Sequence, residues 1–171
     1  GNLNWHIKGF LDDNPKALDG FTYECPILSS VEHYTPLEGD VFISALGDGK
    51  HRKHFASIME AKGAEFVNII HPTAIISDGV TLGFGNIIGP QVHISNDVTI
   101  ANHTLIQTNA ILGHDVIFSD YCSAGAFVFV GGGAEIDQGA YLATRSTILP
   151  NAKVGSFAIV GASSLVLKKV K

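Results

Sequence analysis

The residues best suited to chemistry form the triplet Gly113-His114-Asp115. An imidazole titrates near neutral pH and can take a proton from an incoming nucleophile. A carboxylate beside it can fix which ring nitrogen carries the proton. Gly131-Gly132-Gly133 brings together three residues without side chains, where a backbone N–H can approach a ligand closely. A base and a preorganised N–H donor are what direct attack on an acyl carbonyl requires, because an oxyanion develops in the tetrahedral intermediate. The same glycines also suit tight corners with no ligand at all, and an exposed histidine is an ordinary surface residue. Two acidic turns complete the set. Asp12-Asp13-Asn14-Pro15 is good turn chemistry in its own right. Asp48, between Gly47 and Gly49, is a natural helix N-cap. The N-terminus of that helix, with Lys50 and Arg52, equally suits a diphosphate. Both readings of each turn stay open at this point.

These residues must be positioned by something, and the pattern is plain. Every sixth residue from Ile70 to Val166 is apolar: seventeen positions with no break in phase. Four residues after each comes a mostly small or β-branched one, such as Ala74, Val92, Ala110, Val116, Cys122, Ala134, Ser146 and, at the end, Val170; Asn86 departs from the rule. A period of six matches neither a helix nor a simple strand and is the mark of a hexapeptide β-helix. One rung cannot bury its own apolar face, so rungs must stack. His114 stands between the inward Leu112 and the inward Val116 and is expected to project outward. Cys122 falls on an inward small position and is expected to be core filler, which argues against an acyl-cysteine route. Cys25 is read as structural.

Residues 1–69 read differently. His6–Leu11, a piece around Pro26–Leu28, Val41–Leu46 and Phe66–Ile70 are strand candidates. Val41–Leu46 is expected to be buried on both faces. A helix is expected from about Lys50 to Ala61, with Phe55, Ile58, Met59 and Lys62 as its 3- to 4-residue rhythm and Gly63 as its stop. Strands alternating with a helix indicate a small parallel βαβ unit. The fold class is therefore mainly β: a left-handed parallel β-helix over 70–171, preceded by a small, incomplete α/β domain over 1–69. A first strand and helix are expected before Gly1, and further residues after Lys171, where a bare strand edge would otherwise invite pairing with other chains.

Composition narrows the function. The net charge is −5, which disfavours a nucleic-acid surface. The longest apolar run, Ala126–Val130, is far too short for a membrane span, and residues 1–11 do not read as a signal peptide. Two isolated cysteines fit a reducing cytoplasm.

Three stretches carry a resemblance: GFLDDNP (Gly9–Pro15), ALGDGKHR (Ala45–Arg52) and QTNAILGHD (Gln107–Asp115). The chain resembles the sugar O- and N-acyltransferases of the sialic acid O-acetyltransferase (NeuD-like) and bacillosamine acetyltransferase (PglD-like) group. The resemblance implies acetyl-CoA-dependent N-acetylation of a nucleotide-linked amino sugar, in polysaccharide biosynthesis, by homotrimers whose sites lie between neighbouring β-helices. It implies that the N-terminal domain holds the nucleotide-sugar and the β-helix holds acetyl-CoA. By motif position His114 is the general base and Asp115 its acidic neighbour. Gly132, next to Gly131, lies where a backbone N–H faces the acetyl carbonyl. Asp12 and Asp13 lie where the nucleotide is contacted, and Gly47, Asp48 and Arg52 form the second turn. Gln107 stands where the family often has Asn, and Ser123 where some relatives carry a second histidine near the thioester. O-acetylation of sialic acid or another sugar hydroxyl is the alternative. A non-catalytic trimeric spine and a zinc carbonic-anhydrase-like enzyme are the readings from other classes. The spacings among His71, His93, His103 and His114 lack the close pair a zinc site of that class would need, so no metal is expected.

Overall fold

The computed structural model describes residues 5–171. From Ile69 onward the chain winds as a parallel β-helix. Eighteen two-residue strands run from Ile69–Ile70 to Lys169–Val170 and stack into three parallel six-stranded sheets. We call these the first, second and third faces, in the order the chain visits them. Ile69 pairs with Ile87 and Ile111 with Phe129, so one coil takes eighteen residues. In each rung the second residue points inward. Ile88, Ile94 and Ile100 are at most 1% exposed, and the inward row stays buried from Ile88 to Val166. Ile70 is exposed, and Ile76 and Leu82 are half-buried, because they form the first coil at one end of the stack.

The corners explain why the second inward residue of each hexad is small. Every sixth residue from Gly79 to Ser163 has positive φ, between 55° and 74°. This left-handed conformation turns the chain and is costly for non-glycine residues, about 1–2 kcal/mol each. The coil-to-coil ladder offsets the cost: the Asp115 N–H, for one, donates to Asn96 O at 3.1 Å. The next residue then falls inward where space is tight, as Ala110, Val116, Cys122 and Ala134 do. Asn86 is fully buried yet satisfied. Its Oδ1 accepts from the Thr104 N–H at 2.8 Å and hydroxyl at 2.9 Å, and its Nδ2 donates to Ala101 O at 3.0 Å.

Val170 departs from expectation. The last rung follows Leu165–Val166 by four residues instead of six and pairs with Lys153–Val154. Val170 therefore stacks on Val154 in the inward row and is not the small residue of its hexad.

Before the β-helix, strand β1 (Phe10–Leu11) pairs in parallel with β2 (Ile27–Ser29). Strand β3 (Val41–Phe42), helix α1 (Gly49–Ala61) and β4 (Glu65–Phe66) form a parallel βαβ unit. The expected strand over Val41–Leu46 is thus shorter, and Val41 is 37% exposed rather than buried on both faces. Its neighbours Phe42, Ile43 and Ser44 open onto a cleft of about 840 Å³ instead. Helix α1 is capped by Asp48, whose Oδ1 accepts from the His51 N–H at 2.9 Å. It ends at Gly63, which has φ +79°. Its buried stripe is Arg52, Ala56 and Met59, whereas Phe55 and Ile58 are only half-buried. The stripe turns this way because α1 lies along the corner between the third and first faces. There Ala56 and Met59 pack with Phe66 and with Tyr121 of the β-helix.

Candidate active site

His114 sits at the corner between the second and third faces, just after the rung Ile111–Leu112, and projects outward with its side chain 70% exposed. Its Nδ1 lies 2.7 Å from Asp115 Oδ2. A carboxylate can only accept, so Nδ1 carries the proton and Nε2 is left bare to act as a base. One coil on, Gly132 lies directly against the imidazole. A Cβ placed on Gly132 would sit 2.5 Å from Nε2 and 2.6 Å from Cε1. Among the described residues the Gly132 N–H has no backbone acceptor, whereas Gly131 N–H donates to Ile148 O and Gly133 N–H to His114 O, each at 2.8 Å. The three glycines thus do different things. Gly131 allows close approach to Pro150, Gly132 leaves room for the ring, and Gly133 takes the left-handed corner at φ +68°.

The other expected site residues scatter. Asp12 and Asp13 stand in the turn that follows β1. Asp12 Oδ1 accepts from the Asn14 N–H at 2.8 Å, closing the turn, and both aspartates line the apolar cleft with Leu11, Ser44, Leu46 and Ile69. Asp48 is exposed, and the His51 backbone hydrogen bond is the main cause holding its carboxyl below the usual range. Gly47 O accepts from Arg52 Nη1 at 3.2 Å. Gln107 is exposed at a different corner, between the first and second faces.

Arg52 corrects the expectation of a ligand-facing cation. It is 1% exposed. Its Nε donates to His103 O at 2.8 Å, and Nη1 to Leu46 O at 2.6 Å. Its Nη2 donates to Tyr121 O at 2.6 Å and Cys122 O at 3.0 Å. Burial pulls its pKa down. No direction is left open toward a diphosphate; Arg52 clamps α1 to the β-helix. Ser123 is corrected with it. It lies on the first face, 3% exposed, and its Oγ accepts from Arg52 Nη2 at 2.8 Å. It is not part of the surroundings of His114 within this chain.

Two features escaped the sequence. His103 is fully buried, with Nε2 2.8 Å from Glu60 Oε1 of α1 and its ring stacked parallel to Tyr121. The partner lies forty-three residues away, and nothing local announces it. The other feature was readable. The outward residue of the second-face rungs is apolar at Ile75, Ile111, Phe129 and Leu165, all between 41% and 60% exposed. This exposed apolar row adjoins His114.

A scan of family models and a search of curated proteins return no match. Solved structures do match. A variant of perosamine N-acetyltransferase from Caulobacter crescentus with one histidine changed to asparagine, in complex with CoA and GDP-perosamine, is 26% identical. Its TM-score is 0.81, over 85% of this chain and 71% of that one. PerB from Caulobacter crescentus, with the same two ligands, is 25% identical at a TM-score of 0.86, over 95% and 77%. The chain is an acyltransferase, similar in sequence and fold to these sugar acetyltransferases. The acetyltransferase domain of PglB from Neisseria gonorrhoeae, in complex with acetyl coenzyme A, shares the fold at 19% identity and a TM-score of 0.61, over 92% and 79%. The left-handed β-helix class and the NeuD- and PglD-like resemblance agree with these neighbours. Among the described residues no helix is long and apolar enough to cross a membrane.

Proposed function

We propose that this acyltransferase moves an acetyl group from acetyl-CoA to the amine of a nucleotide-linked amino sugar. One observation carries the reading: a bare His114 Nε2, its other nitrogen held by Asp115, beside the Gly132 N–H, which has no backbone acceptor among the described residues. The acceptor nitrogen attacks the thioester carbonyl and a C–N bond forms. The amine proton passes to Nε2, and the carbonyl oxygen, now an oxyanion, takes the Gly132 N–H. Collapse breaks the C–S bond, and the leaving thiolate recovers the proton from the imidazolium. Such a donor is worth about 100- to 1,000-fold in rate. A hydroxyl acceptor would use the same two groups, so O-acetylation is the second reading. The neighbours' complexes with CoA and GDP-perosamine favour the amine.

Residues 1–69 serve as the nucleotide-sugar domain in this reading, with the base of the sugar nucleotide entering the cleft past Asp12 and Asp13. That domain docks through its α1 at the corner between the third and first faces. His114 occupies the next corner, across the whole width of the third face. A second copy seated on the exposed row Ile75, Ile111, Phe129 and Leu165 brings its own surface to His114. The three-faced coil and the resemblance to trimeric relatives support threefold closure, a homotrimer. The test is a panel of nucleotide-linked amino and neutral sugars with acetyl-CoA, read by thiol release. Turnover only with amino sugars supports the proposal; turnover only with hydroxyl acceptors moves it to O-acetylation; none with any acceptor, despite acetyl-CoA binding, overturns it.

A further inference from the structure

We propose that Gly132 is a positioning residue: its missing side chain seats the His114 imidazole over the following coil, with Nε2 beside the Gly132 amide. The inference rests on His114 being the base and adds what holds that base in place.

Three observations carry it. The first is the contact itself. A methyl group on Gly132 would fall 2.5 Å from Nε2, 2.6 Å from Cε1 and 3.0 Å from Cδ2, so the present ring position and any side chain there exclude each other. The second is that the backbone gives no other reason for glycine. Gly133 and Gly139 have positive φ, but Gly132 does not. A glycine that is not needed for its backbone costs about 0.5–1 kcal/mol relative to alanine in regular structure. The third is the direction in which His114 leans. At the same corner position, Asn96, Asn102 and Asp120 all reach back one coil. Asn96 Nδ2 donates to Asp78 O, Asn102 Oδ1 accepts from the Phe84 N–H, and Asp120 Oδ1 accepts from the Asn102 N–H. His114 instead leans forward, toward the coil that carries Gly132. Asp115 fixes its Nδ1 from one side, and on the other the ring fills the space that a Gly132 side chain would take.

Gly132→Ala tests this cleanly, because alanine keeps the N–H and accepts the backbone conformation. Three measurements separate the outcomes. In nuclear magnetic resonance of the free protein, the His114 ring signals, assigned by their loss in His114→Ala, should report mainly Nδ1–H in the native chain and a shifted tautomer ratio in Gly132→Ala. In kinetics, kcat should fall about 100-fold, the penalty of misplacing a catalytic group by about 1 Å, while KM for acetyl-CoA stays within about twofold. In thermal melts, the destabilisation caused by Gly132→Ala should disappear in the His114→Ala background, where nothing is left to clash. Unchanged ring signals, or a melting penalty equal with and without His114, would overturn the seating role. Normal turnover by His114→Ala would instead remove the base assignment, and the ring signals and double-mutant melts would still decide what Gly132 does.

Discussion

Arg52 Nη2 and Ser123 Oγ meet at 2.8 Å across seventy-one residues of sequence. That bond, with those to His103 O, Tyr121 O and Cys122 O, makes Arg52 the joint between α1 and the β-helix. A guanidinium suits the task because its five donors are fixed in a plane and stay charged when buried. His103 and Glu60 form a second joint farther along the same helix.

Replacing Arg52 by Met removes every donor from that joint and leaves buried carbonyls unpaired. Each such group costs about 1–3 kcal/mol, so a total loss of about 3 kcal/mol or more is expected. Hydrogen exchange should show α1 opening while the rungs from Ile88 to Val166 stay protected. Equal protection of α1 in the variant would contradict the clamp.

His114→Ala should reduce acetyl transfer about 100-fold, in the range of a positioned general base, with melting temperature and acetyl-CoA affinity almost unchanged. Asp115→Asn should be milder. The pair is exposed, and such pairs are worth at most about 1 kcal/mol, about fivefold. Steady-state kinetics at saturating acetyl-CoA distinguishes the two.

Cys122 offers the contrast. It is fully buried, and burial pushes its thiol up to about 12. At pH 8 only about one molecule in 10⁴ carries the thiolate that alkylation needs. Iodoacetamide on the native protein should therefore modify Cys25, which is partly exposed, long before Cys122. Cys122→Ala should lose some stability but keep full transfer. Loss of transfer in a folded Cys122→Ala protein would demand an acyl-enzyme.

Phe129→Glu and Ile111→Glu place charge in the exposed apolar row without touching an inward position. Sedimentation should show folded monomers, and turnover should collapse with assembly. A trimer that survives both changes would place the contact on another face.

Asp40 sets an acid limit on the N-terminal part. Its carboxyl is lowered to about 2, first by Lys8, then by Tyr34 and the Leu37 N–H. The unfolded value is about 3.9, so its stabilising effect is complete above that pH and is lost as pH falls through 2. The stability difference between the native chain and Asp40→Asn should be constant above about pH 5, fall between about pH 5 and pH 1 and vanish below that, as measured by denaturant titration.

The β-helix was legible because six-residue periodicity acts on every rung alike: Ile94 and Ile148 obey one rule and are both fully buried. The outward direction of His114 followed from the same phase. What escaped depends on contacts that no window of sequence contains. Arg52 looked free for a ligand because its acceptors on the β-helix lie fifty-one to seventy-one residues away. The short last coil escaped because Val170 suits either inward row equally well. The proximity of His114 and Gly132 is a property of the coil, not of either motif.

The eighteen-residue coil also sets which insertions and deletions the chain can absorb. Adding a complete coil elsewhere leaves every row in register. Adding six residues between His114 and Gly132 would keep the hexad phase, and so the apolar interior, but would turn everything downstream by one face. Gly132 would then arrive at the neighbouring edge of the prism, and His114 would have a different residue beneath it. On the proposed mechanism, such a protein would fold and stack as before and be chemically silent. Two length rules therefore act on one chain: multiples of six preserve the architecture, and only multiples of eighteen preserve the relation between these two residues.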